Sequence, residues 1–198
     1  MLFKDVIELM KGKEHLQIEG LNKIVSIKGS INKGLTKDLK NAFPNITIVP
    51  RPLVQVTETP NSQWIAGFTS GEGCFKVNIY KRTSTKIGYG VMLVFQLTQH
   101  SRDKHLLNCL LNFFGCGKLE KDSRKSVFNL SVYRFEDNYE KIIPFFKQNN
   151  IVGIKYLDFK DWCEIAEIVK SGEHLTSAGL SIIKKVRSRM NKGRKNTF

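Results

Sequence analysis

The chain has 198 residues, 41% of them hydrophobic, which suffices for a full core and leaves room for one domain with an appendage. Thirty-two basic residues against 18 acidic ones give a formal net charge of +14, a balance that selects a polyanionic partner, nucleic acid first among them. No apolar run approaches the ~20 residues of a membrane span, and Asp5, Glu8 and Glu14 argue against a targeting peptide.

Residues 1–34 read as two amphipathic helices broken near Gly12 and Gly34, and residues 159–193 read the same way. Shifted by 159 with no gap, Glu8, Lys11, Glu14, His15, Leu16, Gly20, Leu21, Ile24, Asn32, Lys33 and Gly34 fall on identical residues, Glu167 through Gly193. This is an internal repeat. Residues 1–43, with a short helix over Thr36–Phe43, are therefore expected to be the terminal helices of a preceding copy. His15 and His174 recur in E-H-L-x-x-x-G-L and are expected to serve the turn between helices. Pro44, Pro50, Pro52 and Pro60 mark residues 44–59 as an extended, semi-rigid linker.

A second domain is expected over 60–198. Trp64 to Glu72 reads as a short helix with Pro60 in its first turn. Ala66, Gly67, Ser70 and Gly71 are small enough to let a second helix approach closely. Glu72 stands at the helix C-terminus, where the macrodipole disfavours a negative charge by ~0.3–1 kcal/mol. Two readings fit: a solvated Glu before Gly73 as a left-handed C-cap, or a carboxylate whose placement a divalent cation would compensate. The four cysteines and four histidines lack metal-ligand spacing, which points to free thiols and away from a zinc site.

Cys74 to Arg82 alternates, with Phe75, Val77 and Ile79 on one face and Lys76, Asn78, Tyr80 and Arg82 on the other. A turn over Thr83–Gly88 leads to a strand with Val91, Leu93, Phe95 and Leu97 inward and Met92, Val94, Gln96 and Thr98 opposite. Ser101 is the expected N-cap of a helix burying Leu106, Leu107, Leu110, Leu111 and Phe114 and closed by Gly115. A second hairpin is expected from Cys116–Asp122 and Lys125–Arg134, with Phe128, Leu130 and Val132 inward and Lys125, Asn129, Ser131 and Tyr133 outward. Helices follow near Tyr139–Gln148, Asp158–Lys170 and Thr176–Met190. The order αββαββα predicts an α+β domain with helices on one face of an antiparallel sheet.

The other face collects charge. Eleven basic residues against three acids lie between Gly73 and Arg134, and such a sheet suits the major groove, where amides and guanidinium groups read base edges. Lys76, Asn78, Tyr80, Arg82, Lys86, Met92, Gln96, Thr98, Lys125, Asn129, Ser131 and Tyr133 are the expected DNA-face residues. The acid-free C-terminal run from Lys184 to Lys195 fits a solvated helix face or phosphate contacts equally.

Ile65-Ala66-Gly67-Phe68 with Gly71-Glu72-Gly73 resembles a LAGLIDADG motif, with Glu for the usual terminal Asp. Cys74-Phe75-Lys76-Val77-Asn78-Ile79 and Thr98-Gln99-His100 extend the similarity to two-motif, I-OnuI-like homing endonucleases of fungal mitochondrial introns. The resemblance implies a pseudo-twofold, mitochondrial DNA endonuclease whose motif helices pack side by side. It implies Mg²⁺ held by Glu72 and the Gly71 carbonyl, with Gln96, Lys118 or Lys121 ordering water. The implied partners are double-stranded DNA and a complementary N-terminal half, with a homodimer as the alternative assembly. A maturase acting on intron RNA and a non-catalytic DNA-binding protein are the alternative functions.

Overall fold

A computed structural model describes residues 2–52, 60–123 and 125–194. The chain falls into two compact units, residues 1–55 and 56–198, the division lying inside the expected linker.

In the first unit, α1 (Leu2–Lys11) and α2 (Ile18–Gly29) flank a 3₁₀ turn at Glu14–Leu16, and α3 (Lys37–Ala42) follows with Thr36 as its side-chain cap. The chain after α3 runs along α2: Ser26 and Ser30 donate to the carbonyls of Thr47 and Val49, and Arg51 Nε donates to the Ser30 carbonyl at 2.9 Å. The expected semi-rigid connector is thus docked over 47–51, and its remaining residues 53–59 lie outside the described ones.

The second unit is built on one sheet in the order β1-β2-β4-β3, antiparallel throughout. The strands are β1 (Gly73–Lys81), β2 (Tyr89–His100), β3 (Lys118–Lys121) and β4 (Val127–Val132). The period-two pattern holds: Phe75, Val77, Leu93, Phe95, Leu97, Leu130 and Val132 are all buried. They meet Leu107, Leu110 and Phe114 of α5 (Lys104–Phe114), Phe146 of α7 (Ile143–Gln148) and Trp162 and Ile165 of α8 (Ile154–Lys170). Phe75 is the hub, its ring 5.2–5.9 Å from those of Phe95, Phe146, Phe159 and Trp162. The result is the α+β arrangement that the pattern predicted.

Several local expectations need correction. The motif helix α4 (Ser62–Glu72) is capped by Asn61, whose Oδ1 accepts from Trp64 N at 2.7 Å, so Pro60 precedes the cap. Gly73 is extended (φ −75°, ψ 152°), not left-handed. A side chain there would meet Thr69 Cγ2 and the Thr69 carbonyl oxygen at 2.5 Å, so glycine is present for close approach. Ser101 lies inside a 3₁₀ turn (Ser101–Asp103) capped by His100 Nδ1, and α5 starts only after it. The helix expected from Tyr139 begins earlier, as α6 (Phe135–Asp137), and passes through a π-turn at Asn138–Ile142 into α7. There the buried Asn138 donates from Nδ2 to the carbonyls of Leu93 and Val132, at 3.0 and 3.1 Å, tying the turn to the sheet.

The repeat read from sequence recurs in the backbone. A 3₁₀ turn at Glu173–Leu175 joins α8 to α9 (Ser177–Ser188), so turn and following helix repeat at the offset of 159 residue for residue. Left-handed backbone recurs at Lys13 and Gly172 and at Asn32 and Asn191. Gly20 and Gly179 recur for a steric reason: a Cβ at either would run into the carbonyl of Glu14 or Glu173. The turn histidines also match, each with a buried Nδ1 lacking a protein partner.

Candidate functional site

The motif helix carries Glu72 as its last residue and β1 begins at the next one, with no loop between them. Glu72 is exposed, while Ile65, Ala66 and Thr69 anchor the other side of α4 in the core. Ala66, at 1% exposure, is buried within its own domain and is withdrawn from the expected helix–helix face. Ser70 sits at the margin, donating to the Ala66 carbonyl at 2.8 Å and accepting from Val152 N at 3.0 Å. Gly67 and Gly71 remain open, with nothing within 4 Å of where a Cβ would be. Beside them Trp64 and Phe68 stack, ring centroids 4.9 Å apart. Val152, Ile154, Tyr156 and Leu157 add exposed apolar surface. This face was legible only as small residues; its aromatic pair, one helical turn apart, was the missed signal.

Sheet register decides among the polar candidates. Cys74 pairs with Gln96, Gln96 with Ser131, and Ser131 with Lys118, forming one rung that starts two residues beyond Glu72. Gln96 accepts from Lys76 Nζ and donates to Ser131 Oγ at 3.1 Å. Lys118 and Gln96 thus share a face and a rung. Lys121 pairs with Phe128 and so points to the helix side. It is corrected out of the water-ordering candidates.

The next rung joins Thr98 to Asn129, whose Oδ1 accepts from Thr98 Oγ1 at 2.6 Å, with Glu120 opposite Asn129. Tyr133, just past β4, donates to Glu120 at 2.7 Å. Its phenol is raised above the ordinary value: the Ser131 contact pulls it down, but burial and Glu120 outweigh that pull. Ser131, expected outward and exposed, is fully buried on this face between the longer Gln96 and Lys118, and Val94 is buried beside Lys76. Lys125 precedes β4 in a bend, exposed, and Arg124 lies outside the described residues.

Further along β1, Asn78 is exposed opposite Met92, and Tyr80 lies over Gly90, where a side chain would meet the phenol ring at 2.7 Å. Arg82 and Lys86 belong to the exposed turn, where Arg82 Nε donates to Ser84 Oγ at 3.0 Å. The near end of the face is therefore pre-ordered by its own hydrogen bonds, and the far end presents Asn78, Tyr80, Arg82 and Lys86 to solvent.

A cavity of about 310 Å³ adjoins the rung, lined by Cys116, Lys118, Ser131, Tyr133, Arg134 and Lys141 among others. Burial raises the Cys116 thiol, with Asp137 adding to the rise and Lys141 opposing it. A larger groove of about 570 Å³ lies between β1 and the C-terminal helix, lined by Lys76, Asn78, Lys184, Arg187, Asn191 and Lys192 among others.

Part of the C-terminal charge is internal. Arg189 donates to Asp161 and Glu164, and Arg194 to Asp158 and Asp161, at 2.6–3.1 Å. These two arginines hold the end of the chain onto the buried Asp158 and Asp161 and the exposed Glu164 of α8, and Lys195 lies outside the described residues. All four cysteines are free and half-buried, and burial lifts the Cys163 thiol to about 12.

Known endonucleases share this fold. The chain is 39% identical over 183 residues to "Probable intron-encoded endonuclease 3" of Neurospora crassa, a stretch covering 92% of this chain and 34% of that protein. It superposes with TM-score 0.94 on the I-SmaMI LAGLIDADG homing endonuclease bound to cleaved DNA, at 49% identity, over 98% of this chain and 65% of that one. It superposes with TM-score 0.93 on the I-LtrWI LAGLIDADG homing endonuclease bound to target DNA, at 39% identity over 98% and 65%. I-SmaMI is also known bound to uncleaved DNA in the presence of calcium ions. The chain thus spans about a third of the curated relative and two thirds of the solved structures. The sequence model of the LAGLIDADG endonuclease matches residues 65–166, and the chain belongs to that family.

Proposed function

We propose that the chain is part of a site-specific, metal-dependent DNA endonuclease of the intron-homing kind, in the two-motif I-OnuI-like branch. The observation that carries this reading is the passage from Glu72 straight into a basic, polar sheet whose first rung holds Gln96 and Lys118. Among the described residues no group of three or more His, Cys, Asp or Glu gathers. One carboxylate suits Mg²⁺, which is commonly held by one or two carboxylates together with phosphates and water. Glu72 with the Gly71 carbonyl would hold that ion, whose chemistry is to activate water and neutralise charge at a phosphodiester. Lys118 and Gln96 would orient water beside the scissile phosphate. Asn78, Thr98 and Asn129 would read base edges, and Arg82 and Lys86 would reach the backbone.

A second LAGLIDADG domain is the partner this reading requires. Its support is the repeat: Phe3, Val6 and Ile7 stand where Trp162, Ile165 and Ala166 stand 159 residues later. The later three are fully buried, whereas Phe3 is 67% and Ile7 37% exposed. The first unit thus presents the face that covers a sheet in the second. Gly67 and Gly71, flanked by Trp64 and Phe68, would receive the other motif helix and bring a second carboxylate next to Glu72. Relatives carry cox1-intron and mitochondrial names, and the mitochondrion is the proposed setting.

The test joins the chain behind the N-terminal domain of I-SmaMI and screens cleavage of randomised duplexes with Mg²⁺. Glu72→Gln removes the charge and keeps the shape. It should abolish cleavage, retain DNA binding and leave the melting temperature unchanged, since the residue is exposed. Cleavage at the wild-type rate by the variant would refute the role of Glu72.

A further inference from the structure

The basic residues at the C-terminal end divide into two sets by their partners. Arg189 and Arg194 are consumed by Asp158, Asp161 and Glu164. Lys184, Arg187 and Lys192 instead line the groove along β1 together with Lys76 and Asn78. All three are exposed, and Lys184 Nζ lies 5.1 Å above the Tyr89 ring. The groove is held in shape from beneath. Asn191 takes a left-handed backbone (φ 51°), its N–H donates to Asp158, and its Nδ2 donates to the Phe75 carbonyl at 2.9 Å. The turn that carries Lys192 is thereby pinned to β1 next to Lys76.

The basic pair and the left-handed turn recur in the first unit. Arg187 and Lys192 correspond, at the offset of 159, to Lys28 and Lys33. Asn32 stands in the position of Asn191 with nearly the same φ, 52°. Lys33 is exposed, and Lys28 Nζ donates to the Gly34 carbonyl at 2.8 Å, which places its ammonium at the turn. Basic residues therefore recur at 28 and 33, whereas the positions of Arg189 and Arg194 hold Ser30 and Leu35. Arg187 and Lys192 have basic counterparts while the arginines bound to carboxylates do not, so the two matched basic pairs are not explained by the need to anchor a chain end.

We infer that Arg187 with Lys192 is a DNA-phosphate clamp beside the base-reading sheet and that Lys28 with Lys33 is the matching clamp of the first unit, an inference resting on the DNA-binding reading above. Each clamp holds backbone phosphates and fixes the register of the duplex, carrying no sequence information itself. Lys184, set against the Tyr89 ring, adds a third cation to the later clamp.

The test measures binding of the 198-residue chain to its DNA by fluorescence anisotropy across a salt series, on two duplexes of unrelated random sequence. The wild type should bind both with a steep salt dependence; absence of any salt-dependent binding would sink the DNA reading itself. Arg187→Ala/Lys192→Ala should lower the slope of log K against log salt by about 2, at ~0.9 per lost phosphate contact, equally on both duplexes. Lys28→Ala/Lys33→Ala should do the same, with a circular-dichroism melt near wild type in each case to show that folding is kept. Wild-type binding with an unchanged slope in either variant overturns the inference. So does a loss confined to one sequence, or a slope lost on duplex RNA and kept on DNA.

Discussion

Gly73 shows how one residue fixes the junction on which the site depends. Its N–H closes the motif helix onto the Thr69 carbonyl while its own backbone is already extended. An alanine there gains some ~0.4–1 kcal/mol from the unfolded state, but its Cβ would sit 2.5 Å from Thr69, a residue that is itself fully buried. Overpacking of this kind costs about 1–3 kcal/mol and wins. Gly73→Ala should therefore lower stability by roughly that amount in a urea titration, and a neutral or stabilising result would mean that Thr69 yields freely. The sequence pointed to a glycine with a special backbone because a Gly after a helix is most often a left-handed cap. The steric demand comes from Thr69, four residues upstream, and no local pattern separates the two causes.

At the scale of the element, what could be read depended on whether a partner was near in sequence. The alternation of β1 and β2 was legible because sheet faces repeat every two residues, and register then placed Gln96 beside Lys118 and Lys121 on the other side. That pairing was invisible beforehand, since it depends on a hairpin register set over residues 118–131. The C-terminal basic run was misjudged in part for the same reason: the carboxylates that bind Arg189 and Arg194 lie 25–36 residues earlier, on α8. Ser131 was expected outward and exposed and Val94 on the same outer face, yet both are buried. The ion-pair cluster yields its own prediction. Asp158, 3% exposed, accepts from Asn191 N and from Arg194. Asp158→Ala leaves the Asn191 N–H without its acceptor and takes from Arg194 one of its two carboxylates, Asp161 remaining, and should destabilise by about 1–3 kcal/mol. Chemical denaturation would measure it, and a loss below the scatter of surface substitutions would show that water replaces the carboxylate.

The whole molecule is two units with one repeated turn and helix, and its open apolar faces set the expected behaviour of the isolated chain. Phe3, Met10, Leu16 and Ile18 on the first unit and Trp64, Val152 and Ile154 on the second are all more than a third exposed. Patches of this kind usually mark an interface. Purified alone, the chain should bind a hydrophobic dye and cut no DNA, and joining it to a preceding LAGLIDADG domain should remove the dye signal and restore cleavage. A stable homodimer by light scattering that cuts a palindromic site would favour the single-motif arrangement instead. The loop-free join between α4 and β1 reaches further than the site itself. If Glu72 and β1 play the roles proposed above, the join makes carboxylate and reading strand one stiff ruler, and the distance from the cut bond to the bases read is set by covalent geometry. On that reading, retargeting the protein to new bases would leave the place of the break untouched, whereas one residue inserted after Gly73 would turn every β1 side chain to the other face and silence both at once.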